Sequence, residues 1–250
     1  MLKIRALLFI TLLVCSFGNL FAQETQADDS ILLPRVLQQL GLKNEDINTQ
    51  LYAEKVLPNA KTQAAVVVAK YHKNEPDGYG NFYSEYDVYV LIVNNTTGKI
   101  LYKHFEEEAL ISDAIRLTSI NVDTGIFTLN SETRAFGIEA HYSGSSQPNP
   151  HHHTDLSLFI KNNKSLKKVL NNFTIQKFGG EWDMKCVGEF EEVNSTIIID
   201  NKNKSKNFNG LIVKDKITKT IGKVVNDECE EKKTVSIKTR KLKYNGMEYK

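Results

Sequence analysis

The densest run of chemically able side chains is Gly180-Glu181-Trp182-Asp183-Met184-Lys185-Cys186-Val187-Gly188-Glu189-Phe190-Glu191-Glu192. On an extended strand, Trp182, Met184 and Cys186 would share one face and Glu181, Asp183 and Lys185 the other. Two carboxylates lining a cleft about 5 to 9 Å apart can act as acid and base on a glycosidic bond, which makes Glu181 and Asp183 the catalytic candidates. The plainer expectation is a solvated strand face beside an anchored Trp182, because alternation alone accounts for the pattern.

A second concentration is His151-His152-His153, with Asp155 two residues on, at the end of a loop of small and proline residues, Ser143 to Pro150. Imidazoles suit zinc, copper or nickel, so His151 and His153 are the candidate ligands. Three adjacent residues on an extended segment point to alternate faces, however, and no cysteine or carboxylate pair stands nearby at ligand spacing. The run therefore reads as a surface loop that binds metal loosely, and no cofactor is assigned. His72, His104 and His141 stand alone in the sequence and read as partly buried or surface side chains. Gly-x-Ser-x-Gly, His-Glu-x-x-His and phosphate-loop motifs are missing. Asp200-Asn201-Lys202-Asn203-Lys204 has alternating oxygen donors but lacks the glycine and closing glutamate of a calcium loop, so Asn201, Asn203 and Asn207 are assigned to a turn.

The address of the chain is written at its start. Lys3 and Arg5 precede an apolar run from Ala6 to Phe17, and Leu20-Phe21-Ala22 supplies a cleavage region, the order of a secretory signal over 1–22. About twelve apolar residues fall short of the roughly 20 that cross a bilayer as a helix. Lipidation at Cys15 is the weaker alternative, because the branched Val14 stands where a small residue is expected. A periplasmic or secreted location follows, with no transmembrane segment in the mature chain. Residues 1–22 hold two of the 32 basic residues and none of the 30 acidic ones, so the remaining charge balances. Such a balance gives no electrostatic reason to expect nucleic acid. Cleavage leaves two cysteines, Cys186 and Cys229, and in an oxidising compartment such a pair is most simply a structural disulfide.

The elements that must position these residues are mostly strands. Residues 23–30 read as a flexible lead. Over 31–57 the apolar spacing is helical, and Pro34, Gly41 and Asn44 supply start, stop and cap signals for two short helices. After Pro58 the period becomes that of strands. Glu85–Val93 and Lys99–Phe105, separated by Asn94-Asn95-Thr96-Thr97-Gly98, predict a hairpin. More than ten short strand candidates follow one another to the C-terminus, and Asp200–Asn209 reads as an exposed turn. The expectation is one β-rich domain over 31–250, with a sandwich, barrel or propeller-like antiparallel body.

Arg134-Ala135-Phe136-Gly137-Ile138, Tyr142-Ser143-Gly144-Ser145-Ser146 and Gly180-Glu181-Trp182-Asp183 resemble stretches of uncharacterised exported proteins of Gram-negative bacteria. Phe208-Asn209-Gly210-Leu211-Ile212-Val213, followed by Lys243-Tyr244-Asn245-Gly246-Met247-Glu248-Tyr249, resembles the closing unit of FG-GAP-like β repeats in periplasmic proteins of lysozyme-inhibitor or immunity type. Gly210 stands where that pattern carries an acidic residue, which departs from any calcium role. The resulting expectation is a non-catalytic exported binding protein that contacts an envelope protein or glycan through Trp182, Ser145, Asn149 and His151. A glycan or cell-wall hydrolase using the carboxylates near Trp182, and a structural envelope component, are the alternatives.

Overall fold

The computed structural model describes residues 30–250 apart from 77, 79 and 81. The signal sequence, nearly all of the lead and Cys15 lie outside the described residues. The N-terminal segment holds one helix, α1 (Leu33–Leu40), rather than two. Ser30 Oγ accepts the backbone N–H groups of Leu32 and Leu33, Pro34 sits in the first turn, and Gly41 closes the helix at φ 69°. The second expected helix is replaced by single 3-10 turns at Asn44–Asp46 and Thr49–Leu51. The Asn48 side chain takes the Gln50 N–H, and Ile47 bridges to Lys70, so local side-chain bonding and sheet pairing outweigh the helical spacing. Strand β1 (Ala53–Leu57) then occupies ground that the sequence assigned to helix.

Ten more strands follow among the described residues: β2 (Ala60–Pro76), β3 (Phe82–Asn94), β4 (Ile100–Ser112), β5 (Ile115–Thr128), β6 (Arg134–Gly144), β7 (His151–Asn162), β8 (Ser165–Trp182), β9 (Gly188–Ser205), β10 (Phe208–Val225) and β11 (Glu228–Leu242). The β3–β4 hairpin turns at 95–99, as the asparagine and glycine there predict. Other strands are longer and fewer than sequence patterning indicates. Leu211–Lys214 and Thr218–Val225 belong to one strand, and most of the Lys/Asn run of 200–209 lies on β9 rather than in a turn. Only Lys206 and Asn207, with φ of 49° and 69°, make that turn.

Eight strands pair in the order β1-β2-β3-β4-β8-β7-β6-β5, and β5 comes back against β1, giving a nearly closed barrel. The exception to its antiparallel ladders is β4–β8, where a single parallel pair, Lys103 with Ser165, joins the strands. Inward side chains of alternating positions, among them Val67, Val88, Val90, Ile138 and Phe159, fill the interior. Outside the barrel, Leu33, Val36 and Leu37 of α1 cover Val66, Val68 and Leu91. On another outer face, Leu156, Leu158 and Leu170 pack under Leu211, Tyr244 and Tyr249. The Tyr249 hydroxyl donates to the Asn209 carbonyl and its N–H to the Val169 carbonyl, so the C-terminal residues latch β8 to β10.

The last seven residues of β8 pair with β9, which in turn pairs with β10 and β10 with β11. These strands form a wing that leaves the barrel. Across it, Asp215 is buried and accepts both Nε and Nη2 of Arg240, at 2.8 and 2.9 Å, and the Ser195 hydroxyl at 2.7 Å. One group thereby ties β9, β10 and β11 together. Cys186 and Cys229 form the expected disulfide, with Cα atoms 5.7 Å apart. It links the β8–β9 loop to the start of β11, crossing β10 at Gly222. A Cβ on Gly222 would meet the Cys186 carbonyl at 2.3 Å, so only glycine admits the crossing.

Candidate functional site

The rim of the barrel where β6 ends and β7 begins brings most of the sequence candidates together. Strand β8 ends at Trp182, and residues 183–187 turn back, so Glu181, Asp183 and Lys185 do not form the strand face that alternation predicts. Met184 has φ 62°, a conformation incompatible with a continuing strand. The Asp183 carboxylate accepts the N–H groups of Lys185, Cys186 and Val187 at 2.8–3.0 Å. Those bonds, from Lys185 and Cys186 foremost, hold its carboxyl below the usual range. Glu181 stays exposed opposite Glu189 of β9. Asp183 thus shapes the loop that presents Cys186.

Trp182 also organises the proline-rich loop. Its indole N–H donates to the Gln147 carbonyl at 2.8 Å, and its backbone N–H to the Pro148 carbonyl at 3.0 Å. The Asn149 N–H donates to the Ser146 hydroxyl at 3.2 Å. The loop that carries Ser145 and Asn149 and the more than 30 residues distant Trp182 therefore belong to one patch. The histidines do not lie in that loop; they begin β7, and pairing with Tyr142 and Phe178 on its two sides places them in the sheet.

Strand alternation splits the triplet. His151 and His153 share one face with their ring nitrogens 3.2 Å apart, and the His153 ring lies flat against Tyr142 at 4.6 Å between centroids. Asp155 Oδ2 is 3.7 Å from His153 Nε2. Burial, with the neighbouring His153 and Lys177 adding to it, lowers the His151 pKa and favours a neutral ring. His152 points to the opposite, outer face. There its ring stacks on Phe178 at 4.9 Å, Phe178 on Phe190 at 5.8 Å, and Phe190 meets Trp182 at 6.2 Å. Gly180 makes this row continuous: a Cβ there would sit 2.5 Å from the Phe190 ring. The aromatic row spans β7, β8 and β9 and borders the loop that holds Ser145 and Asn149.

Sequence reasoning missed a polar gap in the barrel wall. Beyond their single bridge, β4 and β8 part, and Glu106 reaches across to form an ion pair with Lys168. The neighbouring His104 first, its Nε2 3.5 Å from Oε2, and Lys168 after it, hold the Glu106 carboxyl down at about 2 against the opposing effect of burial. Behind this pair lies a small cavity of about 30 Å³ with an apolar floor at Val88, Val90 and Phe159 and polar walls at Asp155, Ser157 and Asn172. His104 and Glu106, two apart on one strand, give a readable signal of a shared face; the partner 62 residues away gives none.

No family model matches the chain, and neither a curated protein nor a solved structure matches it.

Proposed function

We propose that the chain is a non-catalytic exported binding protein that engages an envelope glycan with the outer face of β7, β8 and β9. The observation that carries this reading is the row His152–Phe178–Phe190–Trp182, whose successive ring centroids are 4.9–6.2 Å apart. A sugar ring has an apolar C–H face and a polar rim. Aromatic side chains offer broad apolar area with little conformational entropy to lose, and the Ser145–Asn149 loop supplies hydroxyl and amide groups at the border. The row and loop stand on rigid strands, fixed by Trp182 and the disulfide, which favours preorganised binding.

The disulfide supports export, since such bonds persist in oxidising compartments. Among the described residues, no helix is long and apolar enough to cross a membrane. The hydrolase alternative gains less support, because Asp183 is committed to three backbone N–H groups and is held ionised, unsuited to donate a proton.

Co-sedimentation with insoluble peptidoglycan tests the reading. The native chain is expected to pellet saturably, and Phe178→Ala with Phe190→Ala to weaken retention tenfold or more while the melting curve stays cooperative. Equal retention of the variant, or no retention of the native chain, refutes the glycan face. Peptidoglycan turnover by the native chain that is lost in both Glu181→Gln and Asp183→Asn refutes the non-catalytic reading.

A further inference from the structure

We propose that His72, Glu85 and Glu108 form a site for one divalent transition-metal ion, of the zinc class, on the outer face of β2, β3 and β4. One donor atom from each lies within 4.8 Å of the other two. His72 Nε2 and Glu108 Oε1 are 3.0 Å apart, near the roughly 3.3 Å that two ligands of a tetrahedral zinc keep at bond lengths of about 2.0–2.1 Å. One nitrogen and two carboxylate oxygens are a donor set that zinc accepts, with a fourth position left for water or a ligand.

Two irregularities of the sheet build the cluster. The β2–β3 register shifts between Tyr71 and Lys73, so His72 is the extra residue of a bulge. The β3–β4 register shifts between Tyr86 and Val88, and Glu108 opposite takes φ 49°. Both deviations turn an added side chain onto the face that already carries Glu85 and Asp87.

Each ligand is held by a group behind it. The buried Asp87 carboxylate, 3 % exposed, lies 2.9 Å from His72 Nδ1 and is placed to take the Nδ1 proton, so that Nε2, facing the two glutamates, is the nitrogen that would ligate the ion. Asp87 is itself fixed by Lys70 Nζ at 2.8 Å and by the Glu108 backbone N–H at 3.2 Å. The Tyr83 hydroxyl donates to Glu85 Oε1 at 2.6 Å, orienting that carboxylate as well. Carboxylate–histidine pairs of this kind set the tautomer of metal-bound imidazoles. Three carboxylates crowd here, with Lys70 paired to Asp87, and a divalent ion between Nε2 and the glutamates supplies balancing positive charge. The cluster shares no residue with the aromatic row, so this site stands or falls independently of glycan binding.

The test is titration of the purified, tag-free chain with Zn²⁺ by calorimetry and with Co²⁺ by visible absorption. One ion per chain is expected, with Co²⁺ bands of mixed nitrogen and oxygen coordination. His72→Ala and, separately, Glu85→Gln should each weaken binding tenfold or more, whereas His151→Ala with His153→Ala should leave it unchanged. Glu85 is only half-buried and Gln keeps its shape, which makes its variant the safeguard should His72→Ala fold poorly. No saturable binding by the native chain overturns the site. So does binding that survives both single variants or that disappears only in the His151/His153 variant.

Discussion

Replacing both Cys186 and Cys229 by Ser removes the covalent tie across the tip of the wing. The bridge closes a separation of 43 residues. In the chain-entropy model a loop of that size costs the unfolded state about 13 cal/mol/K, or about 4 kcal/mol at 25 °C. The distal wing has little else to hold it: β11 is exposed along most of its length, and Val224, Val235 and Ile237 are more than half exposed. For a chain of this size, 4 kcal/mol corresponds to a fall in Tm of roughly 8–16 °C. Calorimetry of the native and double-Ser chains measures it, and limited proteolysis locates it, with new cuts expected within 183–187 and 226–242. A fall below about 3 °C with an unchanged digestion pattern would refute the view that the bridge, rather than packing, holds the wing.

Asp215→Asn should cost about 2–3 kcal/mol, somewhat less than a fully buried pair because Arg240 keeps 38 % of its side chain exposed; chemical denaturation reads this, and a loss under about 0.5 kcal/mol contradicts the assignment. Burial pushes the Asp215 carboxyl up, but Arg240 and Ser195 outweigh it and hold it below the ordinary value. Glu106 offers a pH test: its folded pKa of about 2 lies below the ordinary 4.5, so its contribution is complete above pH 4.5 and is lost as pH falls toward 2. With the carboxylate 38 % exposed, solvent screening reduces that contribution to about 1–2 kcal/mol, and Glu106→Gln should flatten the acid limb of the stability curve by that amount.

Local chemistry was legible in the sequence where one residue type dictates one outcome. The cysteine pair gave the bridge, the Asn94–Gly98 turn gave the β3–β4 hairpin, and strand alternation correctly separated His152 from His151 and His153. Failures arise where tertiary pairing decides. Ile47, Leu51 and Ala53 have helical spacing, yet Ile47 bridges to β2 and Ala53 joins β1. Trp182 to Glu191 alternates like one strand, but Asp183 gathers three backbone N–H groups and ends it. His72 and Glu108 are brought to Glu85 by bulges, and a bulge shifts the period by one residue, which erases the alternation that would announce a shared face.

The length of β8 explains why barrel and wing belong to one sheet. Its first residues meet β4 at Ser165 and carry Lys168 to the gap in the barrel wall, while its last residues pair with β9 and carry Phe178 and Trp182 to the aromatic row. An 18-residue strand spans about 60 Å when extended, so a barrel wall of ordinary height cannot use all of it, and the surplus must find other partners. Strands β9 and β10 supply them, and the edge thereby moves outward to β11. That edge presents unpaired backbone groups along 15 residues, an invitation to pair with a second chain. The charged side chains along β11, Glu228, Glu230, Glu231, Lys232, Lys233, Lys238, Arg240 and Lys241, blunt that edge, since charge on an edge strand disfavours pairing with another chain. The wing can therefore extend freely from the barrel and leave its outer face open beside the aromatic row.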